Sequence, residues 1–159
     1  MRTAVLSGSG RASLARRVDL KPPPAGYSGT PLSRKLGFKP GMRVLAMQPP
    51  AHFRALLVDA PADLAWLAPV APFDCAVAFA KSAKELRALF TKLEPKLAQD
   101  GMVWIAWPKK AAAMKTDLDE NLVRDIGLAA GLVDIKVCAI DSTWSGLKFV
   151  RRVRDRVKS

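Results

Sequence analysis

Phe73 to Ala80 reads FDCAVAFA, an apolar run with a single charge at Asp74. A run of this length and composition predicts a strand buried on both faces, as an inner strand of a parallel sheet is. A second such run, Met102–Trp107 (MVWIAW), opens after Gly101. Between them Ser82 caps a predicted helix through Leu97, with Leu86, Leu89, Phe90, Leu93 and Leu97 at helical spacing. Strand, amphipathic helix, strand is the repeating unit of α/β proteins.

Working outward, Arg43–Met47 (RVLAM) predicts an earlier strand. It follows a short helix with Thr30 as its cap, Pro31 in its first turn and Gly37 at its end, and a Lys39-Pro40-Gly41 turn. Pro49 and Pro50 follow the strand, then a short helix over His52–Val58 and a short strand near Leu64–Leu67. Downstream, Asp117, Asp119 and Glu120 favour the start of a helix over Leu118–Ala130, which Gly131 ends. Val133–Ile140 and Trp144–Arg152 form a hairpin around Asp141-Ser142-Thr143. The expected fold is α/β: three layers, a mostly parallel Rossmann-like sheet with helices on both faces, and a C-terminal antiparallel hairpin.

The 159 residues suffice for one domain, expected over 26–152, between a basic tail at 1–25 ending in Pro22-Pro23-Pro24 and a basic tail at 153–159. The net charge of +12 sits mainly at the ends. Residues 1–25 hold five basic groups against one acid, and residues 148–159 hold six against one. Such ends suit nucleic acid or an acidic protein as partner, or a solubilising fringe. No segment is long and apolar enough to predict a membrane span, and the N-terminus has no apolar signal region. Its Arg- and Ser-bearing composition fits a flexible tail or a transit peptide. Cys75 and Cys138 lie far apart in apolar runs, which predicts reduced, buried thiols. With His52 as the only histidine, a multi-histidine metal site and a serine triad are both disfavoured.

Candidate ligand residues cluster at two places. Trp107, Lys109 and Lys110 follow a strand, at the carboxyl end where open α/β sheets hold ligands. The alternative is an exposed lysine loop. Asp141, Trp144 and Ser145 surround the hairpin, where Trp144 has a face for stacking. The alternative is a turn in which Asp141 bonds its own backbone. His52 is placed for a general base near the first strand, with no partner identifiable from sequence. Lys136 and Asp117 are a further candidate pair. Tyr27-Ser28-Gly29-Thr30 reads as a structural cap.

LGFKPGMRVLAM, FDCAVAF, LEPKLAQDGMVWIAWP and GLVDIKVCAID with WSGLKFVRR resemble, in order, the segments of class I S-adenosylmethionine methyltransferases. The glycine-rich cofactor loop of that scaffold is replaced by Gln48-Pro49-Pro50-Ala51-His52, and no acid stands at Ala46 or in Trp66-Leu67-Ala68. The expectation is therefore no cofactor, S-adenosylmethionine included. AGYSGTPLSRKLG, WIAWPKK, TDL, GLVDIKVCAID and TWSGL resemble the bacterial domain of unknown function 3052 across nearly all of 25–152. That resemblance implies a cytoplasmic bacterial protein of unassigned activity. The resulting expectation is a non-catalytic domain that recognises an anionic partner. The alternative is a divergent enzyme using a small anionic ligand at the carboxyl ends of the strands.

Overall fold

The computed structural model describes residues 31–67 and 71–156. Six strands form one sheet: β1 (Arg43–Met47), β2 (Ala65–Trp66), β3 (Phe73–Phe79), β4 (Leu97–Pro108), β5 (Leu132–Ala139) and β6 (Trp144–Arg151). Their order is β2-β1-β3-β4-β6-β5. The first four are parallel, and β6 pairs antiparallel with both β4 and β5. The mostly parallel sheet with a closing hairpin is as the sequence predicts.

Two helices cover one face. Helix α2 (Ala83–Leu93) begins at Ser82, whose hydroxyl accepts the Glu85 N–H, and α3 (Glu120–Ala129) begins at Asp119, which accepts the Leu122 N–H. Their apolar stripes pack with Leu45, Ala76, Val103, Ile105 and Phe149 of the sheet. The other face is covered by the short helix α1 (Leu32–Leu36) and the loop after β1, packed on Val44, Val77 and Trp104. The buried Trp104 indole N–H donates to the Leu36 carbonyl at 2.9 Å, satisfying both the ring and a helix end. Gly37 closes α1 in the left-handed conformation, φ 83°.

The short helix expected over His52–Val58 is a 3-10 turn over Arg54–Leu56, and the boundaries differ most in two further places. Helix α2 stops at Leu93, because Pro95 lacks an N–H and the chain tightens into a 3-10 turn over Glu94–Lys96. Leu97, expected as the helix's last apolar residue, is the first of β4. The chain pairs Phe73 with Leu97 but Cys75 with Met102, so Asp100-Gly101 lies in an irregular part of β4 rather than ahead of it. A Cβ on Gly101 would stand 2.7 Å from the Asp74 carbonyl oxygen, which explains glycine there.

The strand order reverses between β1 and β3: from β1 the chain moves outward to β2, then returns to the other side. In open α/β sheets the crevice at such a reversal, outside the carboxyl ends of the strands, is where ligands bind. The basic segment 1–25 and the Tyr27–Thr30 cap lie outside the described residues.

Candidate functional site

At that reversal lies a cavity of about 480 Å³. The chain leaves β1 through Gln48, which adopts φ 55°. A glutamine in the left-handed region costs about 1 kcal/mol, and such strain concentrates at functional sites. The turn carries Pro49, Pro50 and His52 along one wall. The opposite wall is the carboxyl end of β3 and the start of α2, with Phe79, Lys81 and Glu85. Met114, Thr143 and Trp144 close the third side.

Three aromatic rings hold these walls together. Phe53 meets Phe79 edge-to-face at 5.1 Å, and Phe79 meets Trp144 the same way at 5.1 Å. All three are buried. Each sits beside a polar group of the site: Phe53 next to His52, Phe79 two residues from Lys81, Trp144 beside Thr143. The connection after β4 is tied to the same place. The Thr116 hydroxyl donates to the Lys81 carbonyl at 2.6 Å, and the Asp117 carboxylate accepts the Ala83 N–H at 2.9 Å. Asp117 therefore serves the start of α2, and the Thr116-Asp117-Leu118 motif acts as a clasp for one wall.

The central polar contact is His52 Nε2 to Asp141 Oδ2, 2.8 Å, between residues 89 apart in sequence. The Asp141 side chain is 17% exposed and that of His52 is 51%. The other Asp141 oxygen, Oδ1, accepts the N–H groups of Thr143 and Trp144, both at 2.8 Å. Burial pushes the Asp141 carboxyl up, but the bonds from His52 and the two backbone N–H groups outweigh it, leaving it below the ordinary carboxylate range. The turn reading of Asp141 is the one present in the structure. Asp141 shapes the hairpin turn with one oxygen and reaches a neighbouring loop with the other.

The remaining candidates are distributed differently. Trp107 is buried in the core under α2 and α3. Ser145 lies opposite it in the β4–β6 ladder, turned by strand alternation away from the face that Trp144 packs on. The Lys109 N–H donates to the Thr143 carbonyl at 2.8 Å, extending the pairing of β4 with β6 by one rung. Lys110 is exposed in a 3-10 turn over Lys110–Ala112. The lysine that lines the cavity is Lys81. Sequence reasoning applied the carboxyl-end rule to β4. The reversal at β1 and β3 would have directed it to Gln48, Lys81 and Glu85.

The arrangement can hold a small molecule with an apolar, ring-bearing part and a charged head. Phe79, Met114, Trp144 and the prolines offer apolar surface, and Lys81 and Glu85 offer opposite charges. One Glu85 oxygen is engaged by the Lys81 N–H at 2.8 Å. The volume falls in the range of small-molecule and cofactor sites. Among the described residues at the end of β2, no acid stands ready. Trp66 instead carries the Arg54 guanidinium 3.6 Å over its ring.

No family model and no curated protein matches the chain. Solved structures do. Magnesium protoporphyrin IX methyltransferase from Synechocystis PCC 6803, with bound S-adenosylmethionine, matches at TM-score 0.50 and 12% identity, over 76% of this chain and 74% of that one. The pyocyanin biosynthetic protein PhzM matches at TM-score 0.56 and 10% identity, over 76% of this chain and 53% of that one. LepI in complex with S-adenosylmethionine matches at TM-score 0.48 and 12% identity, and there 76% of this chain spans only 39% of the longer protein. The scaffold is that of the class I methyltransferases. The comparison corrects the expectation of no cofactor. The Synechocystis enzyme has been solved with S-adenosylmethionine and with its demethylated product in a chain of this fold. Among the described residues, no helix is long and apolar enough to cross a membrane.

Proposed function

We propose that the cavity at the carboxyl ends of β1 and β3 binds a ligand of the S-adenosylmethionine type, and that the chain is a divergent enzyme on the methyltransferase scaffold. The observation that carries this reading is the coincidence of the strand-order reversal with a cavity of about 480 Å³ holding both charged and aromatic groups. Lys81 holds the carboxylate of the ligand, Glu85 its ammonium, and Trp144 faces its ring. Membership in the domain of unknown function 3052, and with it a cytoplasmic setting, is part of this proposal.

Isothermal titration calorimetry with S-adenosylmethionine and S-adenosylhomocysteine tests it. Micromolar binding is expected, weakened about tenfold by Lys81→Ala, the loss of one charge-assisted hydrogen bond. Lys110→Ala leaves it unchanged. Absence of heat with both compounds refutes the assignment.

A second reading is favoured by the charge distribution. Recognition of an anionic partner, nucleic acid or an acidic protein, would use the basic residues at the chain ends, of which Arg154 is 78% exposed. Binding to mixed RNA and DNA at low salt, weakened when residues 1–25 are removed, is its signature.

A further inference from the structure

His52 is the only histidine in the chain, and the structure gives it a partner that its sequence neighbourhood lacks. An ionised carboxylate only accepts hydrogen bonds. In the neutral imidazole, the 2.8 Å contact to Asp141 Oδ2 therefore requires the proton on Nε2, and Nδ1 then carries the lone pair. Asp141 is held at its other oxygen by two backbone N–H groups, so the carboxylate is a fixed support. His52 is fixed from its own side by the adjacent buried Phe53, locked through Phe79 onto Trp144. The ring itself is half exposed on the cavity wall. A base oriented by a third group, at the mouth of a ligand cavity and held by rigid packing, is the arrangement that proton abstraction requires.

We propose that His52 is the proton acceptor of this cavity, acting through Nδ1 with Asp141 as its positioning residue. The acceptor substrate then carries a group that must lose a proton as it reacts: a hydroxyl, a thiol or an N–H. This rests on the cavity being the ligand site argued above. A sulfonium donor, when bound, would supply a methyl carbon, with the electron pair of the broken C–S bond left on its sulfur. His52 takes the acceptor's proton at Nδ1 as the acceptor's lone pair forms its bond to that carbon. The positive charge then rests on the imidazolium, against the Asp141 carboxylate, and no metal or redox partner enters the balance. Lys81 and Glu85 are the other charged groups lining the cavity.

One histidine means one imidazole in the long-range ¹H–¹⁵N spectrum of the full chain. At pH 8 the expected spectrum shows Nε2 protonated and Nδ1 in the bare-nitrogen region. Asp141→Asn, which keeps an oxygen for the turn, shifts the tautomer balance. Saturating S-adenosylhomocysteine moves the Nδ1 signal and slows acylation of His52 by diethyl pyrocarbonate severalfold. A protonated Nδ1 in the wild type, or a tautomer indifferent to Asp141→Asn, overturns the proposal. If calorimetry registers S-adenosylhomocysteine while the His52 signal and reactivity stay fixed, the proton-acceptor role falls and the ligand site stands. If no heat is registered, the ligand site falls and this role falls with it.

Discussion

Replacing Asp141 by Ala removes three hydrogen bonds through one carboxylate. The N–H groups of Thr143 and Trp144 each lose a partner at 2.8 Å, and His52 loses the third contact. A hydrogen bond to a charged group contributes roughly 1.5–3 kcal/mol, and less where water reaches the freed donor. Both N–H groups are only part-buried, so the two together contribute about 2–4 kcal/mol. Asp141→Asn keeps an oxygen for both donors and loses only charge, at about 1 kcal/mol. The two variants should therefore differ by about 2 kcal/mol in urea denaturation at pH 7, with Ala the weaker. For a chain of this size that is a gap of about 4–8 °C in Tm. Equal stability of the two variants would refute the view that Asp141 organises the hairpin through its backbone contacts.

Other outcomes follow from the same coordinates. The Arg43 side-chain hydrogen bond holds the Asp74 carboxyl below its ordinary value, and Asp141 is lowered as well. Both contributions are present above the unfolded carboxylate pKa of about 3.9 and are lost as pH falls through the folded values. Asp74→Asn should flatten the acid limb of a stability-against-pH curve without changing its sign. Gly127→Ala places a Cβ 2.1 Å from a ring carbon of the fully buried Phe149. Overpacking of about 1–3 kcal/mol exceeds the helix-propensity gain of about 1 kcal/mol, so chemical denaturation should show a net loss. Burial pushes the Cys75 thiol strongly up and that of half-buried Cys138 up as well, so mass spectrometry during iodoacetamide treatment should show Cys138 modified first and both slowly. Arg151 donates to the Glu94 carboxylate and carbonyl and to the Leu97 carbonyl. Arg151→Lys cannot reproduce that fork and should lower stability by about 1–2 kcal/mol, read by thermal denaturation.

The strands were legible because their signal is local. RVLAM and FDCAVAF are short apolar runs, and the structure places strands over Arg43–Met47 and Phe73–Phe79. The end of α2 was misjudged because Leu97 fits the helical stripe, while Pro95 overrides it two residues earlier. The site was less legible because its contacts are long-range. His52 and Asp141 lie 89 residues apart, and no periodicity pairs them. The left-handed turn at Gln48 was hidden for another reason: glutamine carries no preference for that conformation, so the surrounding structure imposes it. Trp144 and Asp141 could be singled out from hairpin chemistry. The place of Lys81 depends on knowing that β3, rather than β2, neighbours β1 on the inner side.

The position of β6 has a consequence for synthesis. Among the described residues it comes after every other strand, yet it lies inside the sheet, between β4 and β5. Until residues 144–151 leave the ribosome, β4 presents Val103, Ile105 and Trp107 on a strand with an open hydrogen-bonding side. β5 has no sheet partner over the same interval. A nascent chain halted before Trp144 is thus a template for strand addition by its neighbours on the same message. Completion of this sheet and protection of these edges arrive in one step, with β6.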